Sequence, residues 1–169
     1  MSPALFILGT SHTLQCGTVD EAKTAAFQME LHRICACEKI ARIAEEMSAT
    51  GLAYHGVTTT IGMRVAEKLS IGHHNIDLEP EQRAALSLDD GPMLNIVIGG
   101  NFSDGGRRFR DAFNTLGDGV RERCWIGRIL AREEWPTLLV CGANHSLSVE
   151  QLWLSLRLPV TLVHQDYEP

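Results

Sequence analysis

Two histidines in this chain follow the same short phrase. Residues 4–12 read Ala-Leu-Phe-Ile-Leu-Gly-Thr-Ser-His and residues 137–145 read Thr-Leu-Leu-Val-Cys-Gly-Ala-Asn-His. Each is an apolar run, a glycine, two small residues and an imidazole, at His12 and His145. Imidazole titrates near neutral pH, so it can take or give a proton on a water, and its neutral form ligates metals. Carboxylates fall at comparable places in the chain: Glu45 and Glu46 after an apolar stretch, and Asp77 with Glu79 after another. Two histidines with two or three carboxylates can hold a divalent metal or work as acid and base. The candidate metal set is His12, His145, Glu46 and Asp77. Arg121, Glu122 and Trp125 form a third constellation. Arg121 and Trp125 stand four apart, on one face of a helix, where the guanidinium could clamp a carboxylate or steady an oxyanion.

These residues need elements to bring them together. The apolar runs have the length of buried strands, and the glycine after each lets the chain turn there. Strands are expected at 4–8, 39–45, 71–78, 137–141 and 159–164. Helices are expected from 18–20 to 33–37, over 61–69, from Pro80, over 119–134 and over 148–156. Phe27, Leu31 and Ile34 recur at helical spacing and form a core stripe. Residues 48–56 read as a loop, and Asp104 to Arg108 as a turn. The segment 93–98 reads as a short strand or a buried loop. Strands alternating with helices predict an α/β fold: one three-layer domain over 1–169, with a mostly parallel sheet flanked by helices. In such a sheet ligands bind beyond the carboxyl ends of the strands, where both histidines are expected.

Plainer roles compete at several positions. Asp77 and Glu79 can cap the helix at Pro80. His73 and His74 alternate across a strand and read as structural. Trp125 reads as core rather than as a pocket wall. Glu45 and Glu46 cannot be told apart by sequence as the one that faces the site. Ser11 and Ser146 adjoin the histidines, but the strained elbow that exposes a nucleophilic serine is missing.

The order of these motifs resembles the TraB/TIKI superfamily, which includes erythromycin-esterase-like and ChaN-like proteins. The resemblance rests on Gly9 and His12, Glu46 (or Glu45), Arg121 with Glu122 and Trp125, then Gly142 and His145. It implies an α/β fold with both histidines in one cleft, and a hydrolase acting on a small-molecule or peptide substrate. His12, His145, Glu46 and Arg121 would be catalytic, with Glu45, Glu122 and Trp125 contacting substrate. A divalent metal is one implied cofactor. Haem is the ligand of the alternative, a binding or regulatory protein using the same cleft.

Composition narrows the partners. The net charge of −6 lacks the basic face that broad phosphate contact demands, so nucleic acid is not expected. No apolar stretch approaches ~18 residues and no basic-plus-apolar leader opens the chain, so the expectation is a cytoplasmic protein without membrane contact. Five cysteines, an odd number, then read as reduced thiols. A homo-oligomer stays open.

Overall fold

The computed structural model describes residues 3–86, 88 and 104–169, and from 104 to 116 it describes the backbone alone. The elements run β1 (Leu5–Thr10), α1 (His12–Cys16), α2 (Glu21–Cys37), β2 (Arg42–Glu45), α3 (Ala49–Tyr54), α4 (Ile61–Leu69), β3 (Gly72–Asn75), α5 (Pro80–Ala85), α6 (Asp104–Leu130), β4 (Thr137–Gly142), α7 (Ala143–Ser155) and β5 (Val160–His164). The strands form one parallel sheet in the order β3-β2-β4-β1-β5. The expected α/β architecture is present.

Strand composition explains why both faces of the sheet are covered. Alternate side chains of one strand point to opposite faces. Leu8 of β1 with Leu138 and Val140 of β4 joins Phe27, Leu31 and Ile34 of α2 and Val65 of α4. Leu5 and Ile7 with Leu139 and Cys141 join Trp125 and Ile129 of α6 and Val149 and Trp153 of α7. Both sets are buried, so the central strands are apolar on both sides.

The order of strands creates the site. From β1 the chain leaves to α2 on one face of the sheet, and from β4 it leaves to α7 on the other, so the connections from these two neighbours part to opposite faces. A crevice opens at such a point, beyond the strand ends. Because β1 and β4 pair in register, with Thr10 opposite Gly142, the two Gly-x-x-His phrases end side by side. Residues 133 positions apart in sequence thereby become neighbours.

Several expectations need correction. The segment 48–56 contains helix α3, started by Ser48, whose hydroxyl accepts from the Gly51 N–H at 3.0 Å. The second strand starts at Arg42 rather than 39, because α2 continues to Cys37 and Lys39 turns the chain with φ 52°. Asp104 to Arg108 is the first part of α6, not a turn, and α6 ends at Leu130. The last helix begins five residues earlier than expected, at Ala143, so His145 lies in its first turn. The segment 93–98 lies outside the described residues.

The paired glycines clear space rather than turn the chain. A side chain at Gly9 would place a Cβ 2.0 Å from the Gln165 carbonyl oxygen, where the C-terminal segment crosses β1 and Tyr167 donates its N–H to Gly9 at 2.7 Å. Gly142 has φ −58° and ψ 140°, open to any residue, but a Cβ there would stand 3.2 Å from the Glu46 carboxylate.

Candidate functional site

Glu46 is the centre of the site. It follows β2 directly, and its carboxylate is fully buried beneath the ends of β1 and β4. Oε2 accepts the Gly142 N–H at 2.6 Å and lies 3.4 Å from His12 Nε2. Oε1 accepts from Arg121 at 3.0 Å and lies 3.5 Å from His145 Nε2. Both imidazoles thus meet one carboxylate, one on each oxygen, at ion-pair rather than hydrogen-bond distance. Burial alone would raise the Glu46 pKa, but the two imidazoles and the Gly142 N–H outweigh it and hold the group below its usual range.

His12 is placed by a short helix. Ser11 caps α1, its hydroxyl accepting from the Leu14 N–H at 3.2 Å, so His12 opens the helix at the rim of the crevice. Its side chain is 42% exposed. The adjacent Glu46 raises its pKa against the opposing effect of burial.

His145 is held more firmly. Its Nδ1 lies 2.8 Å from Glu122 Oε1 on α6, and Ser148 one turn on donates its hydroxyl to the same oxygen. With Nδ1–H committed to Glu122, Nε2 is left to face Glu46 and the cavity. The Trp125 ring packs edge-on against the imidazole at 5.0 Å. Burial lowers the His145 pKa, but the Glu122 hydrogen bond and the Glu46 charge together outweigh it, and the net shift is upward.

Arg121 ties the carboxylates together. Besides Glu46, its guanidinium reaches Asp77 at 3.1–3.3 Å and Asp118 at 3.2 Å. Asp77 also accepts the Trp125 indole N–H at 3.0 Å and a hydrogen bond from Arg83. Arg128 holds the backbone carbonyls of Ile76 and Asp77. Burial would raise the Asp77 pKa, yet Arg121 and Arg83 bring it below its usual value.

The expected site residues divide in two. His12, Glu46, Asp77, Arg121 and His145 come together around one cavity of about 520 Å³. Glu45, expected beside substrate, points to the opposite face of β2, as alternation requires. There it is fully buried, accepts from Thr60 and lies 2.7 Å from His73 Nε2. Trp125 leaves the substrate-contacting set, while Glu122 lines a second cavity, of about 620 Å³, together with His145. Glu122 is 3% exposed and turned to His145, and Trp125 is fully buried with its N–H on Asp77. Arg121 does not fit the clamp expected for a developing anion, because its N–H groups are taken by three carboxylates. Asp77 does not cap α5; it belongs to the site.

The serines are spent elsewhere. Ser11 caps α1, and Ser146 donates to the carbonyls of Ala143 and Gln165. His73 and His164 are structural in contact. His73 bonds Glu45, and His164 bonds Glu30 at 2.8 Å. His74, with neither ring nitrogen partnered, is lowered to about 4 by burial and the Arg42 charge. Sequence reasoning missed Asp118, Arg83, Tyr54 and His55. Asp118 carries a faint signal, three residues before Arg121 on one helix face. His55 reaches the cavity only because α3 folds where a loop was expected.

The donor set does not suit a metal. Among the described residues no three His, Cys, Asp or Glu side chains are grouped as a metal requires. A guanidinium already sits between Glu46 and Asp77, where a cation bridging them would lie. Haem fits no better: a porphyrin needs broad apolar walls, and charged Glu46, Asp77, Arg83 and Arg121 line this cavity. Among the described residues no helix is long and apolar enough to cross a membrane.

The fold and site define a class: a parallel α/β domain with two imidazoles on one buried carboxylate at the switch point of the sheet. Comparison of the chain with protein-family models, curated proteins and solved structures finds no match.

Proposed function

We propose that this chain is a hydrolase of the TraB/TIKI type in which His145 activates water without a metal. The observation that carries the reading is the bond from His145 Nδ1 to buried Glu122, which leaves Nε2 facing the cavity 3.5 Å from Glu46. A fixed tautomer with its lone pair toward the cavity is what a general base requires. In the proposed step Nε2 takes a proton from water while the hydroxide attacks the substrate carbonyl. The imidazolium, flanked by Glu122 and Glu46, then returns the proton to the leaving group. His12, its pKa raised by Glu46, supplies positive charge near the developing oxyanion when it is protonated. Arg121 keeps Asp77 ionised and holds Glu46 in place, a positioning role.

The test is hydrolysis of a panel of esters, amides and phosphoesters by protein dialysed against chelator. Turnover that persists after chelation and disappears in His145→Ala supports the reading. No turnover of any substrate by the wild type, with or without added divalent metal, overturns it and leaves a binding protein using the same cavity.

A further inference from the structure

The cavity has two unlike walls. Its floor is charged but balanced: Arg121 bridges Glu46 and Asp77, and Arg83 also pairs with Asp77. A charged ligand would have to break one of these pairs, so a neutral molecule is the one the floor accepts at least cost. The opposite wall comes from α3 and the start of α5, with Met47, Leu78 and Pro80 beside Tyr54 and His55.

The rings on that wall form a path. His55 stands edge-on to His12 at 6.3 Å, and Tyr54 stands edge-on to His55 at 5.3 Å, both within the range of aromatic pairs. Tyr54 ends the path and is 86% exposed, so its ring is uncovered at the mouth. The wall is also fixed. The Glu79 carboxylate, next to α5, accepts the N–H groups of Ala49 and Thr50 at 2.7 and 3.2 Å, anchoring α3 by its first turn. An uncovered aromatic ring on an anchored helix, leading along two imidazoles to the buried carboxylate, is a stacking platform in front of the site.

We infer that the ligand is a small uncharged carbonyl compound bearing an aromatic ring, with the ring on Tyr54 and the carbonyl between His12 and His145. The inference rests on the hydrolase reading for the fate of the carbonyl, but not for the binding of the ring. A volume of about 520 Å³ matches a molecule of that size and not a folded polypeptide.

The test uses two neutral amides of matched size, N-benzylacetamide and N-(cyclohexylmethyl)acetamide, titrated into labelled protein and followed by NMR. The benzyl compound is expected to bind more tightly and to shift the signals of Tyr54, His55 and His12. Tyr54→Ala should weaken its binding about two- to tenfold, the worth of one aromatic contact, while Tyr54→Phe keeps it. The cyclohexyl compound should respond little to either change. Because Tyr54 is exposed, neither variant threatens folding. Equal weakening of both probes by Tyr54→Ala, or no binding of the benzyl probe, overturns the inference. Benzyl binding that survives in a protein without turnover rejects the hydrolase reading and leaves this one standing. Turnover with no preference for aromatic probes does the reverse.

Discussion

Replacing Glu122 by Gln separates the orientation of His145 from its burial. The carboxylate lies 2.8 Å from Nδ1 and is 3% exposed, so little solvent screens the contact. Glutamine keeps the shape and a hydrogen bond but removes the charge. A hydrogen bond to a charged group contributes about 1.5–3 kcal/mol and a neutral one about 0.5–1.5 kcal/mol, a difference of about 1–1.5 kcal/mol. One pKa unit corresponds to about 1.36 kcal/mol, so the His145 midpoint should fall by about one unit. His12 touches Glu46 and not Glu122, and its midpoint should stay within a few tenths of a unit. The assay is NMR titration of ring-labelled histidines, with His145→Asn and His12→Asn identifying the two signals. Midpoints in Glu122→Gln that match the wild type, or equal falls at both histidines, would refute the reasoning. The first outcome means that Glu122 does not set the charge on His145. The second means that the carboxylate acts only through the general field of the protein.

Other consequences follow from the same contacts. The raised pKa values of His12 and His145 contribute stability that is complete below their unfolded value of 6.5 and fades as pH rises through the folded values. The lowered values of Glu46 and Asp77 contribute stability above their unfolded values, 4.5 and 3.8, that is lost as pH falls through the folded values. The melting temperature should therefore peak between about pH 5 and 6.5, and a monotonic profile by calorimetry would contradict this. Glu46→Ala removes the acceptor of the Gly142 N–H and one partner of Arg121, which keeps Asp77. The expected loss is about 2–4 kcal/mol in urea unfolding, and a loss under 1 kcal/mol would show that the carboxylate is not structural. Gly9→Ala cannot coexist with the Gln165 carbonyl 2.0 Å from its Cβ, so the segment after β5 should detach. Faster protease cleavage there is the readout, with wild-type resistance as the contrary result.

Much of this was legible in residues whose signal is local. The strands at 5–10 and 137–142 are apolar runs, and the α2 stripe repeats at helical spacing, so core and fold class follow from periodicity alone. Parallel pairing at the switch point then brings His12 and His145 together, as the repeated phrase suggested. Glu45 and Glu46 could not be distinguished because strand alternation assigns opposite faces but not which face holds the site. That choice is made by β4 and α6, far away in sequence. The bond from Glu122 to His145 was hidden for a related reason: a helix wheel cannot tell a residue that faces substrate from one that faces a neighbouring imidazole, whereas Trp125 is the core residue its type suggested. Arg121 looked free to bind an anion because its partners, Glu46 and Asp77, lie 75 and 44 residues away. The loop at 48–56 folds as α3 through the cap of Ser48 and the distant carboxylate of Glu79, and with it the ring wall of the cavity escaped notice.

The most direct test of the central claim is steady-state hydrolysis of a neutral aryl ester by chelator-dialysed protein, comparing wild type with His145→Ala. General-base catalysis by a positioned imidazole contributes about 10²- to 10⁴-fold. Wild-type turnover should be unchanged by chelation, and kcat should fall by that factor in His145→Ala with the fold intact by circular dichroism. Turnover that disappears with chelator and returns with added metal, or that survives loss of the His145 imidazole, would contradict the claim.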